Sequence, residues 1–171
     1  MPLRAKSAFK ITPKIKTESQ RNLINQMLQD DSRHLCFTQS VDVPVDLKEV
    51  CDLLRHRDEE RQYSGAKTLF TWPVAGLTEA INSIWENHGS DYGVHYQVNC
   101  LISQLGLTEL SFITKESLSE PAPQYAKSKI AATWGCLNLG LSECRSEIEN
   151  LFMLSSWEPL RWTCAEVLRK L

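Results

Sequence analysis

The chain has 171 residues, of which 42% are hydrophobic and 23% are charged. This balance is ordinary for a globular protein of about one domain, and it excludes a collagen-like or wholly disordered chain. The 19 basic and 21 acidic side chains give a formal net charge of −2, so the whole protein has no charge excess that would hold nucleic acid or an anionic membrane.

Residues 1–16 are predicted to form a basic flexible arm. They contain five lysine and arginine side chains and no acid. Because the whole chain carries −2 and this arm carries +5, residues 17–171 carry −7. A basic, acid-free start also resembles a mitochondrial transit peptide, but Pro2 and Pro13 disfavour that interpretation. The arm has little apolar area to bury, so it is expected to be dispensable for folding.

Residues 17–44 are predicted to hold one N-terminal helix, from Glu18 to about Arg33, followed by a connection. From residue 45 onward, apolar residues recur three and four positions apart, and no segment alternates as a half-buried strand would. The sequence therefore predicts an all-α protein. Residues 92–108, the longest stretch without a charged side chain, contain too many polar groups for a membrane-spanning helix.

Four segments of residues 45–171 follow one nine-residue pattern. The fifth position of the pattern is apolar or small, the sixth is small and the ninth is large and apolar. Positions one, five and nine are four residues apart, so they lie on one face of a helix. The segments are RQYSGAKTL from Arg61, VHYQVNCLI from Val94, AKSKIAATW from Ala126 and LRWTCAEVL from Leu160. A helix pair repeated four times accounts for the pattern, because one pair cannot bury its apolar stripe alone.

The turns of this repeat are also predicted. The first helices of the pairs are expected to begin near Leu47, Leu77, Leu107 and Leu141. The expected N-caps of the second helices are Asp58, Ser90 or Asp91, Ser119, and Ser155 or Ser156. Pro159 lies where a first-turn proline is tolerated.

The run WEPLRWTCAEVLRKL at 157–171 resembles the second helix of a HEAT-like repeat, in which a turn acid or proline precedes an aliphatic residue, a basic residue and small residues. The resemblance covers residues 45–171 in four units and departs in the first, where Gln62 replaces the basic residue. It implies a right-handed superhelix of about four HEAT-like helix pairs after the N-terminal helix. It also implies that His95, Lys127 and Arg161 hydrogen-bond between repeats. An ordinary helical bundle is the alternative.

The second helices line the concave face of such superhelices, which is the expected binding face. Aromatic side chains recur at the third position of the pattern and could anchor a partner, because aromatics dominate the binding energy of interfaces; inter-repeat packing is the alternative. Trp162 is expected in the core and Trp157 at the rim, whereas Lys67, which lies off the apolar stripe, is expected to contact solvent or a partner. The predicted partner-binding residues are Tyr63, Lys67, Tyr96, Lys127, Trp157, Arg161 and Trp162.

No enzyme is predicted. The sequence contains none of the motifs GxxxxGK[ST], GxGxxG, GxSxG or HExxH. His95 and Cys100 diverge by about 140° around one helix, so with Asp91 they do not form a plausible nucleophilic set. The spacing of the histidines disfavours a metal site, and no cofactor is predicted. The six cysteines lack close pairs, which predicts reduced, buried thiols, with slow alkylation at Cys100 and Cys164.

The leading hypothesis is a non-enzymatic, cytoplasmic module, a monomer or weak dimer, whose HEAT-like superhelix holds one protein partner. One alternative is a small bacterial inhibitor or immunity-type protein that neutralises a basic toxin by charge complementarity. Another is nucleic-acid binding or DNA repair, as in HEAT-like alkylpurine DNA glycosylases, which the −7 charge of residues 17–171 disfavours. A third is a lyase or chaperone-lyase for bilin attachment, similar to the HEAT-like phycobilin lyases, which are usually longer and work as pairs.

Overall fold

The computed structural model describes residues 46–171, and this part of the chain is helical and contains no strand. Its eight α-helices are α1 (Leu47–Leu54), α2 (Glu59–Phe70), α3 (Val74–His88), α4 (Tyr92–Leu105), α5 (Ser111–Ser119), α6 (Ala126–Leu139), α7 (Arg145–Leu154) and α8 (Glu158–Leu168). The all-α prediction is confirmed for these residues. The predicted arm at 1–16 and the predicted helix and connection at 17–44 lie outside them. None of the described helices is both long and apolar enough to cross a membrane.

Aspartates begin three of the helices. The side chains of Asp46, Asp58 and Asp91 each accept a hydrogen bond from the backbone N–H two residues later, at 3.0–3.1 Å. Such a bond satisfies one of the amide donors that the first turn of a helix leaves without a partner. The predicted caps Asp58 and Asp91 are therefore confirmed.

The other two predicted N-caps are wrong. Ser119 is the last residue of α5, and α6 begins only at Ala126, after a proline-containing connection and one 3₁₀ turn. The N-cap of α8 is Trp157, which makes no capping side-chain bond. Ser155 instead accepts the Trp157 N–H on its Oγ at 3.1 Å. Pro159 lies in the first turn of α8, as predicted.

One turn occurs twice, at the ends of α4 and α6. Gly106 and Gly140 have φ values of 65° and 69°, a left-handed conformation that glycine adopts without steric cost. The N–H of Leu107 donates to the carbonyl of the residue five positions back at 3.1 Å, and the N–H of Leu141 does the same at 2.8 Å. This is the Schellman motif, in which a left-handed residue satisfies the last carbonyls of a helix.

The repeated turn explains where the next helices begin. After each Schellman motif the chain forms a single 3₁₀ turn, Thr108–Leu110 or Ser142–Cys144, before the α-helix starts. As a result α5 and α7 begin four residues after the predicted starts at Leu107 and Leu141. The predicted start at Leu47 is confirmed, whereas α3 begins at residue 74, three residues before the expected start.

The second helices of the four pairs, α2, α4, α6 and α8, lie in a row in which each packs against the next. Each also packs against the first helix of its own pair, and the contact between α4 and α6 is the most extensive. Two apolar clusters result. The N-terminal cluster lies mainly among α1 to α5 and includes Val50, Leu54, Leu69, Ile81 and Leu101. The C-terminal cluster lies among α5 to α8 and includes Leu118, Cys136, Ile148, Leu160 and Val167.

Buried polar side chains link α4 to its neighbours on α5 and α6. The Nδ2 of Asn99 donates to the Oγ of Ser117 on α5 at 2.7 Å, and the Nδ2 of Asn138 on α6 donates to the Oγ of Ser103 at 2.9 Å. All four residues are buried. Because a buried polar group without a partner is costly, these two bonds favour one register of the three helices. We call this group of four residues the polar seam.

The five cysteines within residues 46–171 are free, and all but Cys51 are buried. The prediction of unpaired, buried thiols is confirmed for those four. Burial raises the pKa of the Cys100 thiol to about 12 and also raises the pKa of Cys164. Since the thiolate is the reactive form, slow alkylation of both remains the expectation.

Candidate protein-binding surface

Trp162 lies on the surface of α8, where it is 77% exposed. The prediction that it belongs to the core is wrong. Leu160 and Cys164 are buried as predicted, and Trp162 lies about 200° around the helix from Leu160, which turns it away from the C-terminal cluster. Trp157 is 37% exposed, so its predicted place at the rim is confirmed.

Two further apolar side chains near Trp157 are exposed. Met153 and Leu154, the last residues of α7, are 76% and 85% exposed. Among the described residues, the exposed large apolar side chains are these two, Trp157, Trp162 and Phe112. All except Phe112 fall within residues 153–162. An apolar concentration of this kind marks an interaction site more often than a scattered single residue does. We call Met153, Leu154, Trp157 and Trp162 the terminal apolar surface.

Sequence reasoning missed Met153 and Leu154, although a signal was present. The run Leu151 to Leu154 places four large apolar residues in succession. Consecutive residues of a helix point about 100° apart, so four of them cannot all face one core. Leu151 and Phe152 are half-buried against the C-terminal cluster, and the last two are left outside.

Arg161 is exposed beside this surface. Its guanidinium carbon lies 5.1 Å from the centroid of the Phe152 ring, a cation–π contact. The contact joins the first half of α8 to the end of α7. The contact of Arg161 is therefore within its own pair and not the bond between repeats that the resemblance implies, and a partner contact at Arg161 stays a prediction.

Lys67 is buried on α2, so the prediction that it contacts solvent or a partner is wrong. Its Nζ lies 4.8 Å from the centroid of the Tyr63 ring, which is itself half-buried. The physical reason is that α2 is covered on more than its apolar stripe. Gln62 and Ala66, which lie off that stripe, are buried as well.

Tyr96 is half-buried on α4 and hydrogen-bonds with the Cys100 side chain. The proximity of Cys100 and then burial raise the pKa of Tyr96. On α6 the same position of the pattern is Ser128, which is fully buried. The proposed aromatic row is therefore interrupted between Tyr96 and Trp162, and only Trp162 offers most of its ring to a partner.

Lys127 connects two pairs instead of facing a partner freely. Its Nζ lies 3.0 Å from the Oε1 of Glu59 at the start of α2. Partial burial lowers the pKa of Lys127, but hydrogen bonds to Glu59 and Tyr92 outweigh that effect and the net pKa is raised. This contact joins the third pair to the first, so it is not the bond to the neighbouring turn that the HEAT-like resemblance implies.

His95 is also expected from the resemblance to hydrogen-bond between repeats, but it contacts the next pair through its ring. Its ring stacks on Tyr125 with the ring centroids 4.1 Å apart, and it also lies 5.1 Å from Trp85. Within residues 46–171 its Nδ1 has no hydrogen-bond partner. Burial lowers the pKa of His95 to about 4, so the ring is neutral near pH 7.

The exposure of Trp162 leads to a stability prediction. We expect Trp162→Ala to change the free energy of unfolding of the monomer by less than about 0.5 kcal/mol, as is usual for surface substitutions. The matched control is Leu160→Ala, which removes a buried side chain of the same helix and should cost about 2–5 kcal/mol. Denaturant titration of both variants measures the difference. A loss at Trp162 as large as that at Leu160 would contradict the exposed placement.

No protein-family model matches the chain. The chain is similar to an uncharacterized phycocyanin operon protein Y of Pseudanabaena tenuis (strain PCC 7409), with 26% identity over 136 residues. The aligned region covers 79% of this chain but 32% of that protein, so the chain spans about a third of the length of the curated relative that it matches.

Proposed function

We propose that the chain is a HEAT-like helical-repeat module that binds a protein partner through its terminal apolar surface. The observation that carries this proposal is the exposure of Met153, Leu154 and Trp162, each more than 75% exposed, within one ten-residue stretch. Exposed apolar side chains gain free energy when a partner removes them from water. Their position at the end of α7 and on α8 sets them on packed helices, which costs little ordering on binding.

The HEAT-like arrangement is part of the same proposal. Four helix pairs, a continuous row of second helices and a turn that recurs after 34 residues support it. We infer a right-handed superhelix, as the resemblance of the last unit implies. The last pair, α7 and α8, packs mainly against α6, so it can offer a face to a partner without disturbing the first two pairs.

We propose a phycocyanin subunit as the partner. The name of the relative connects it with a phycocyanin operon, and its similarity covers 79% of this chain. A protein that handles a phycocyanin subunit needs a surface for polypeptide, and the terminal apolar surface supplies one. The immunity-type and nucleic-acid-binding alternatives gain no comparable support from the described contacts.

The test is a binding titration of the full chain with purified phycocyanin α and β subunits that lack bilin. Met153→Ser/Leu154→Ser should weaken binding at least about tenfold, because a few apolar anchors carry most of the energy of an interface. Phe112→Ser is the matched control, since it removes an exposed apolar side chain of α5 outside the surface. Absence of binding to both subunits would overturn the proposal that a phycocyanin subunit is the partner. Equal weakening of binding by Phe112→Ser would contradict the assignment of binding to the terminal apolar surface.

A second candidate function is assistance in attaching a bilin to that subunit. The name of the relative favours it, because that name connects the relative with a phycocyanin operon and the phycobilin lyases are themselves HEAT-like. The experiment mixes the full chain, a bilin-free subunit and a free linear tetrapyrrole, and measures covalent adduct by mass spectrometry under denaturing conditions. Faster or more site-selective adduct formation with the chain present supports this role. Equal adduct formation with and without it leaves binding as the function.

A further inference from the structure

The second helices cover one another along the row, and α4 shows which face the next pair covers. On this face His95 stacks on Tyr125, which immediately precedes α6. One turn later, Asn99 donates to Ser117 of α5. On α4, positions two and six of the nine-residue pattern therefore face the following pair.

On α8 these two positions are Arg161 and Ala165, and both are exposed. The helix packs mainly against α6 and α7, so in the described part of the chain its forward face has no helix upon it. Small Ala165 at the sixth position permits close approach of another helix, as small residues do at helix contacts. The small side chain of Ala165 therefore leaves room for a second helix on this face.

Four exposed residues form a stripe along this side of α8 at spacings of four, three and four. They are Glu158, Trp162, Ala165 and Arg169, which we call the α8 stripe. This spacing is that of the a and d positions of a coiled coil, which keep facing a partner helix along its length. The stripe ends in an acid on one side and a base on the other, with a large and a small apolar residue between them.

The stripe is complementary to itself when two copies pack antiparallel. A two-fold axis midway between residues 163 and 164 places Glu158 of one copy opposite Arg169 of the other. The same axis places Trp162 opposite Ala165, so that each large ring meets a small side chain. Every contact then occurs twice, as an isologous interface requires. Parallel packing would instead set Glu158 against Glu158 and Arg169 against Arg169.

The charges of α8 allow Arg169 to leave its ion pair within the chain and pair with Glu158 of a second copy. In the single chain Arg169 pairs with Glu166, and the Nζ of Lys170 also lies 2.7 Å from Glu166. When Arg169 turns to the second copy, Lys170 still neutralises Glu166. No carboxylate of the helix is left without a cation.

We propose that two copies of this chain associate through antiparallel α8 helices, with the α8 stripe as the centre of the interface. The dimer goes beyond the proposed function and shares only Trp162 with the terminal apolar surface. It presents two separate sets of Met153 and Leu154, one at each end of the paired helices. A phycocyanin subunit bound at each set would make the assembly bivalent.

The test is sedimentation equilibrium of the full chain across the micromolar range. The wild type should show a monomer–dimer equilibrium, and Glu158→Arg or Arg169→Glu should each raise its Kd about tenfold or more, because like charges then face each other twice. The double variant E158R/R169E restores both charge pairs with their signs exchanged, so its Kd should return towards that of the wild type. Glu109→Arg, an exposed reversal outside α8, is the control and should leave the Kd unchanged.

Three outcomes would overturn the dimer: a wild-type chain that stays monomeric, single reversals without effect, or a double variant that fails to restore association. The binding titration with phycocyanin subunits separates this proposal from the proposed function. If the wild type is monomeric and Trp162→Ala loses binding to the phycocyanin subunit, the α8 stripe binds that subunit instead of a second copy. This result overturns the dimer but not the proposed function. A dimer that binds neither subunit would uphold the dimer and overturn the proposed partner.

Discussion

Gly93→Ala is expected to destabilise the protein by about 3 kcal/mol, the upper end of the usual cost of overpacking. Gly93 lies in the first turn of α4, where that helix passes the end of α1. A Cβ atom there would lie 2.1 Å from the backbone oxygen of Leu54 and 2.8 Å from the Cδ of Gln62. The first contact is with backbone, so a side-chain rotation cannot relieve it and the two helices must separate.

The matched control is Gly76→Ala in α3. A Cβ atom at Gly76 meets only the Trp72 Nε1 at 3.7 Å, an ordinary contact distance. Alanine is favoured over glycine inside a helix by roughly 0.5–1 kcal/mol, so this variant should be as stable as the wild type or more stable. Denaturant titration compares the two. A Gly93→Ala protein with the stability of Gly76→Ala would show that α1 and α4 do not approach so closely.

Acid should remove about 3 kcal/mol of stability through His95 alone. Its pKa is about 4 in the folded chain, against 6.5 for an ordinary histidine, because burial disfavours the charged ring. The nearby Lys129 acts in the same direction, and Glu120 opposes both. Each unit of pKa difference corresponds to about 1.4 kcal/mol.

The direction in which the free energy of unfolding changes with pH depends on whether the folded or the unfolded chain takes up the proton. Above pH 6.5 the ring is neutral in both states and the contribution is constant. Between pH 6.5 and about 4 the unfolded chain binds a proton that the folded chain excludes, so the free energy of unfolding falls as the pH falls. Below that range both states are protonated and the loss is complete.

The measurement is the free energy of unfolding as a function of pH, compared between the wild type and two variants. His95→Phe keeps a ring against Tyr125 and should lose this part of the pH dependence. His88→Gln, at the end of α3, should keep it. Identical slopes for wild type and His95→Phe between pH 6.5 and 4 would contradict the buried, neutral ring.

Helical periodicity alone predicted the class of the described fold and the approximate places of its second helices. It could not give the starts of α5 and α7, because the Schellman turns at Gly106 and Gly140 are followed by 3₁₀ turns that use up part of the expected helix. The repeated letters GLTEL and GLSEC at 106–110 and 140–144 were the available signal for that shared turn.

The candidate surface was harder to predict than the fold. Periodicity identifies the most apolar face of a helix, but it does not say how many other faces the neighbouring elements cover. Lys67 is buried because α2 is covered on several sides, whereas Trp162 is exposed because the described neighbours of α8 lie elsewhere. Those two residues were assigned to the wrong environment for the same reason. The rim position of Trp157 is confirmed, whereas Arg161 contacts Phe152 of its own pair and its predicted partner contact stays a prediction.

The division into two apolar clusters implies that the chain opens in steps. Beyond its own pair, α8 packs mainly against α6, whereas α4 packs extensively against helices on both sides of the row. The last pair is therefore expected to form a cooperative unit of lower local stability than the middle of the row. This unit contains α7 and α8 and bears the terminal apolar surface, so amide hydrogens there should exchange with solvent by local opening while those of α4 require global unfolding. A protein that binds this surface should suppress the local opening of the last helix pair. Its effect would be seen first as slower amide hydrogen exchange in that pair.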